Sequence, residues 1–224
     1  MIARPDKVAH THRILIGTNI NFLRWLTMLG CLLIVGVGQA TSLRQLSFDQ
    51  VATQAELVFE GEVVAVEARW NANRSHIQTL VIFRIAQVLK GAHASTTLNL
   101  SFVGGTVANT TEKFDGLIYP EIGEHGIYFV ENISQPQLNP LVGWSQGHYK
   151  IRRHQGVDRM LTASDQPIAE MQDRKSTAET STSQKEIHRS SGSHVSGLRV
   201  ATEIQTALSK EEFKRKLTAR LDQR

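Results

Sequence analysis

The sequence predicts a mainly β fold. It reads as a small OB-like antiparallel barrel of five to six strands, with a short N-terminal helix before it and a separate amphipathic helix after it. Three observations carry this expectation. From residue 57 to 161 the apolar residues recur with the two-residue period of strands. Turn signals at Asn71–Ser75, Lys90-Gly91, Gly104-Gly105 and Gln155-Gly156 cut that stretch into short runs. No helical pattern separates one strand from the next, which argues against a parallel sheet. Long, bent antiparallel strands of this kind suit a closed or nearly closed barrel, with a sandwich as the alternative.

The elements follow in order. Ser47 and Gln50 form a capping box for a helix running to about Gln54, with Leu46, Phe48, Val51 and Ala55 at helical spacing. Residues 57–70 form a long Val-rich strand. Leu57, Phe59, Gly61 and Val63 share one face while Val64, Val66 and Ala68 share the other, so a bulge is expected near Val63-Val64. Residues 77–89 form a second long strand and residues 96–102 a third, the latter with Leu98, Leu100 and Phe102 inward. Residues 106–125 read mostly as loop. Strands follow at 126–130, 141–152 and 157–161, and in the second of these Tyr149 and Ile151 alternate with His148, Lys150 and Arg152.

Composition shifts after Thr162. Residues 164–196 hold 11 Ser or Thr, with only Ile168, Met171, Ile187 and Val195 as large apolar residues. Such a stretch buries too little surface to offset its ordering entropy, so 163–197 reads as a flexible linker. The segment 198–222 is helical: Ser209 to Glu212 fits a second capping box, and Phe213, Leu217 and Leu221 share a face opposite Lys214, Arg215, Lys216 and Arg220. That basic face suits an anionic membrane surface or an acidic partner, but an amphipathic helix packed on the barrel or on another subunit is favoured.

The N-terminal 40 residues read as a signal peptide. Four basic residues stand against Asp6 alone, the 13 residues from Trp25 to Val37 carry no charge, and Gly38-Gln39-Ala40 supplies small residues for cleavage after Ala40. An uncleaved anchor at residues 25–37 is the alternative, although 13 residues span only about 20 Å as a helix against a hydrocarbon core of about 30 Å. Either way the rest of the chain is expected outside the cytoplasm, periplasmic or secreted. The single cysteine, Cys31, lies in this stretch, so no disulfide framework and no Cys-rich zinc module is expected. The leader also carries three of the chain's four net positive charges, which removes the basic footprint that nucleic acid needs.

Five segments of residues 43–162 resemble an uncharacterised family of exported bacterial proteins. They are Ala55 to Val63, Ile77-Gln78-Thr79 through Val88 to Gly91, Gly104-Gly105, Ile122-Gly123-Glu124 before Tyr128-Phe129, and Val142 to Tyr149. In that family a similar domain also stands ahead of matrixin-type peptidase modules, whose HExxH motif is missing from this sequence. The resemblance implies an extracytoplasmic, OB-like β-rich domain and supplies no catalytic residue.

Candidate chemistry is sparse. Gly143-Trp144-Ser145-Gln146-Gly147 matches the G-x-S-x-G of a hydrolase elbow, with Asp165 and His188 following in hydrolase order. The elbow requires a helix after the serine, whereas His148–Arg152 alternates like a strand. Seven histidines follow the leader, among them His148 and His154 flanking one turn, but none makes an H-x-H or H-x-x-x-H pair and no metal or cofactor is expected. Gly104-Gly105 could present amides to an anion, and two of Asp115, Glu121 and Glu124 could pair for acid–base work. Trp70, Trp144 and Tyr149 could form an aromatic surface. The sequence therefore favours a non-enzymatic binding or interaction module for an unknown extracytoplasmic protein or small ligand, with Trp144, Gln146 and Tyr149 as its binding residues and the 106–125 loop beside them. A small serine hydrolase centred on Ser145 and an envelope protein tethered by residues 25–37 are the alternatives.

Overall fold

A computed structural model describes residues 44–135, 137–172 and 195–222. The leader, Cys31, the cleavage position after Ala40 and most of the Ser/Thr-rich segment lie outside the described residues. Among the described residues the chain forms α1 (Phe48–Gln54), β1 (Leu57–Trp70), β2 (Ile77–Lys90), β3 (Thr97–Val103), β4 (Gly105–Val107), β5 (Thr110–Glu112), β6 (His125–Val130), β7 (His148–His154), β8 (Val157–Thr162), β9 (Ile168–Met171), β10 (Leu198–Val200) and α2 (Lys210–Leu221). None of these helices is long and apolar enough to cross a membrane.

Six strands form one antiparallel sheet in the order β3-β2-β1-β6-β7-β8. It does not close into the expected barrel: other segments bond along the β8 edge, and β3 is bonded at its two ends. On β3, Val103 gives its amide to Leu138 O at 2.7 Å, while Thr97 is bonded by Ser95 and His93. On β8, Met160 N donates to Leu208 O at 3.0 Å, Thr162 N donates to Gln166 O at 2.9 Å, and Leu161 bridges to Pro167. An edge covered by its own chain is protected against strand addition.

The expected bulge is present. The β1–β2 register slips between Val63 and Ala65, leaving Val64 as the extra residue. The slip returns Val66 to the face of Leu57, Phe59 and Val63, where it packs on the same cluster. Gly61 and Gly126 stand opposite each other in the β1–β6 ladder. A Cβ on Gly126 would lie 2.7 Å from Tyr149 O and from the Tyr128 ring, so only hydrogen leaves room for Tyr128 to lean back along its own strand. Tyr128 then stacks on Phe59, with ring centroids 5.3 Å apart.

Both faces of the sheet's centre are buried. On one, Leu57, Phe59, Val63, Val81, Phe83, Tyr128 and Val130 pack with Leu141, Leu117 and Tyr119 from loops. On the other, Val58, Ile127, Phe129, Tyr149 and Met160 are covered by α1, β9, β10 and α2. The capping box at Ser47 and Gln50 starts α1 as the sequence indicates, and Lys90 ends it by donating to the carbonyls of Ala52, Thr53 and Ala55.

Two boundaries after Thr162 differ from the sequence reading. The stretch expected to be linker contributes β9, which pairs with β10, and Ile168, Met171 and Val195 are buried. Three of the four apolar residues in that stretch are thus the ones that dock. The C-terminal helix is likewise not separate: Phe213 and Leu217 enter the core beside Phe48. Its basic face is largely turned to acids of the same chain. Lys214 reaches Glu60 at 2.7 Å, Lys210 reaches Glu60 at 3.0 Å and Asp158 at 3.4 Å, and Arg220 reaches Asp49 at 2.8 Å.

Burial alone would raise the Glu60 carboxyl, but the bonds from Lys214 and Lys210 together outweigh it and hold it below its ordinary value of 4.5. Arg153, and then Lys210, lower Asp158 against a smaller opposing effect of burial. A carboxyl depressed on folding stabilises the fold above its unfolded pKa, and that stability is lost as the pH falls through the folded value. Glu60→Gln is therefore expected to be less stable than wild type at neutral pH and to lose less further stability below pH 4.5. Thermal melts between about pH 6 and about pH 3 check this, and parallel curves for the two proteins would contradict it.

Candidate functional site

The segment singled out in the sequence, residues 143–149, turns sharply before β7. Gly143 and Trp144 both have positive φ, 56° and 63°, and Trp144–Gly147 forms a 3-10 turn. A side chain at Gly143 would meet Leu46 Cδ1 at 2.9 Å, so the glycine serves both the backbone conformation and the seating of Leu46.

Each side chain in the turn has a distinct task. Ser145 is buried; its hydroxyl donates to Gly116 O at 2.7 Å and accepts from Ile118 N at 2.9 Å. A strand, not a helix, follows it, and Asp165 is bonded to Lys150 and Arg152. His188 lies outside the described residues. Gln146 is buried, and its amide acts like a peptide group: Oε1 accepts from Leu46 N at 2.7 Å and Nε2 donates to Arg44 O at 3.0 Å. It stitches the N-terminal end of the domain to the turn. Tyr149 is 1% exposed and packs among Phe48, Phe129 and Phe213. Burial drives its phenol pKa far up, and its hydroxyl has no hydrogen-bond partner among the described residues. Of the three residues expected to bind a ligand, Gln146 and Tyr149 thus face the interior, and Trp144 alone is partly open to solvent.

The 106–125 segment is more structured than expected. It opens with the β4–β5 hairpin, and Gly104 gives its amide to Ile77 O at 2.7 Å, which leaves that amide unavailable to an anion. Residues 114–119 then fold back on the sheet, held by Ser145 and by Tyr119, whose hydroxyl donates to Val103 O at 2.6 Å. Burial and then Glu112 raise the Tyr119 pKa.

Among the three acids of this loop, Asp115 and Glu121 are exposed, and Glu124 turns inward. Its partner is a histidine rather than another acid. Glu124 Oε1 lies 2.5 Å from His148 Nε2 and accepts from Tyr128 Oη at 2.9 Å. His148 is fully buried and stacks on Tyr128, and its Nδ1 has no partner among the described residues. Burial, and then Glu124, push the Tyr128 phenol well above its usual value. Lys150 stands 3.8 Å from Glu124 Oε2 and 3.1 Å from Asp165, and Arg152 closes on Asp165 at 2.7 Å. A chain of polar groups therefore runs from the buried Tyr128–Glu124–His148 cluster to the surface.

Sequence reasoning missed this cluster. The alternation of Tyr149 and Ile151 with His148 points His148 outward, whereas both faces of β7 are buried at its start. A histidine opening a strand that follows a buried turn was the one available signal. His148 and His154 do not flank a turn either; they stand at opposite ends of β7. Among the described residues no group of three or more His, Cys, Asp or Glu is placed to hold a metal ion. Trp70 ends β1 at 36% exposure, on the β1–β2 hairpin opposite Ile77. No protein-family model matches this chain, and no curated protein or solved structure shows significant similarity to it.

Proposed function

We propose that this chain is an exported, non-enzymatic interaction module on an OB-like scaffold, of the kind its five segments resemble, and that it acts outside the cytoplasm. The contact surface is the end of the sheet where the Trp144 turn meets residues 114–119. The observation that carries this reading is the pair of hydrogen bonds at the Ser145 hydroxyl, which donates to Gly116 O and accepts from Ile118 N. They fix a long loop on a rigid turn, as binding loops on stable scaffolds are fixed. Around that tie Trp144 is partly open, Phe114 is 38% exposed, and Leu138 is 63% exposed. Leu138 belongs to the same end, because Val103 binds both Leu138 O and the Tyr119 hydroxyl.

A photo-crosslinking residue at position 144 should give a discrete adduct in the exporting cell, whereas the same label at the exposed Arg215 should not. Equal labelling from both positions would sink the proposed surface. Once a ligand is in hand, Trp144→Ala should weaken binding by about 30-fold or more, as loss of a tryptophan hot spot does. Ser145→Ala should keep the fold while losing about 1–2 kcal/mol of stability from two hydrogen bonds. If the purified chain hydrolyses a p-nitrophenyl ester and Ser145→Ala abolishes that turnover, the module reading gives way to a hydrolase. For export, N-terminal sequencing of the exported chain should begin at Thr41. A chain that retains residues 25–37 would make it a tethered protein instead.

A further inference from the structure

The cover over the second core face is attached in two different ways. Most of it is held by main-chain hydrogen bonds. Ser196 donates to Leu46 O at 2.9 Å and accepts from Phe48 N at 2.8 Å. Leu208 is bonded on both sides, to Ile168 O at 2.7 Å and from Met160 N at 3.0 Å. The fixed part ends at Ser209, which bridges to Arg159. Beyond it, among the described residues, no main-chain hydrogen bond joins α2 to the rest of the fold. Side chains alone hold it: Phe213 and Leu217 in the core, Lys210 and Lys214 on Glu60, and Arg220 on Asp49, on Gln172 O and over the Phe48 ring.

The surface beneath α2 is aromatic, and would form a groove once α2 leaves it. Its floor holds Phe48, Phe129 and Tyr149, each in ring contact with Phe213 or with one another. Its rims are acidic, with Glu60 on one side and Asp49 on the other. An aromatic floor between acids matches a basic amphipathic helix with apolar residues at i and i+4, which is the chemistry of α2. A second observation points the same way. The Tyr149 hydroxyl is fully buried, with no hydrogen-bond partner among the described residues, while α2 covers it. An unsatisfied buried hydroxyl works against the closed state and regains a partner once water or another ligand reaches it.

We propose that α2 is a detachable cover that lifts off as a unit from Ser209 while the sheet stays folded. Lifting bares an acid-rimmed aromatic groove that receives a basic amphipathic helix, and α2 is its resident occupant. The device stands independently of the surface around Trp144.

Hydrogen exchange on the full chain tests the opening. Amides of α2 should exchange at least about a hundredfold faster than those of β1 and β6, as a local opening requires. Equal protection across α2, β1 and β6 would mean that the helix leaves only on global unfolding, and would overturn the proposal. Tyr149→Phe removes the hydroxyl's preference for the open state, so α2 exchange should slow by about tenfold. Unchanged α2 exchange in that variant would show that opening does not reach the groove floor. The groove itself is tested with a dansylated peptide of residues 207–224 added to full-length Lys214→Glu, which weakens the resident helix without leaving a cavity. The peptide should bind saturably and about tenfold more tightly than to wild type, because the competent state is more populated. Absence of saturable binding to the variant would overturn the groove.

Discussion

Replacing Phe48 with alanine is expected to cost about 3–5 kcal/mol, the usual range for deleting a fully buried aromatic ring. Phe48 is the first residue of α1 and is 1% exposed. Its ring centroid lies 5.8 Å from that of Phe129, 5.9 Å from Tyr149 and 5.7 Å from Phe213, and all three pairs are edge-on. Such pairs add about 0.5–1.5 kcal/mol each beyond buried area. Arg220 lies over the same ring at 5.6 Å. One deletion therefore loosens α1, α2 and the sheet together, and the hole lies where three elements meet and none can move in to fill it. Urea unfolding followed by circular dichroism measures the loss. A change under about 1 kcal/mol would show that the face collapses around the hole and that the ring is not the junction of these elements.

Glu124→Ala is expected to be nearly as costly, about 2–5 kcal/mol, for a different reason. It removes little apolar contact. It leaves His148 Nε2 and the Tyr128 hydroxyl, both inside the fold, without the oxygen they share. Each buried polar group stripped of its partner costs about 1–3 kcal/mol. The diagnostic measurement is a double-mutant cycle with His148→Leu. Once the imidazole is gone, Glu124→Ala should cost about 1–3 kcal/mol less than in wild type, because one of the two orphaned groups is absent. Additive losses would show that the two side chains do not act as a pair.

Much of the local architecture was legible because it depends on neighbours in the chain. The alternation that runs from Leu57 to Trp70 gives β1 with those ends, and the clash of parity at Val63-Val64 appears as the register slip. Ser47 and Gln50 sit three apart and cap each other as written. At α2 only the first half of the expected box is seen, with Ser209 accepting from Glu212 N. These features are set by backbone sterics and short-range hydrogen bonds, so a window of a few residues contains the information.

What joins those pieces was not legible. Glu124 and His148 are 24 residues apart, and Glu60 and Lys214 are 154 apart. A charged residue on a strand reads as solvent-facing unless its distant partner is known. The same blindness leaves the sequence unable to name which acids the basic face of Lys214 and Arg220 meets, which are Glu60 and Asp49 of the same chain. Whether the barrel closes depends on which segments bond to the sheet edges. Leu138 and Leu208 reach them, and neither carries a strand-like pattern that would announce it.

The sequence by itself determined that the chain is mainly β, where five of its ten described strands and both helices begin, and which apolar residues seek an interior. Only the tertiary structure decided that the sheet stays open, that the C-terminal helix is part of the core, and that Ser145, Gln146 and Tyr149 hold the fold together from inside. The physical reason lies in the range of the forces. Periodicity and capping act between residues close in sequence, whereas burial and charge pairing are settled only when the folded chain brings distant residues together.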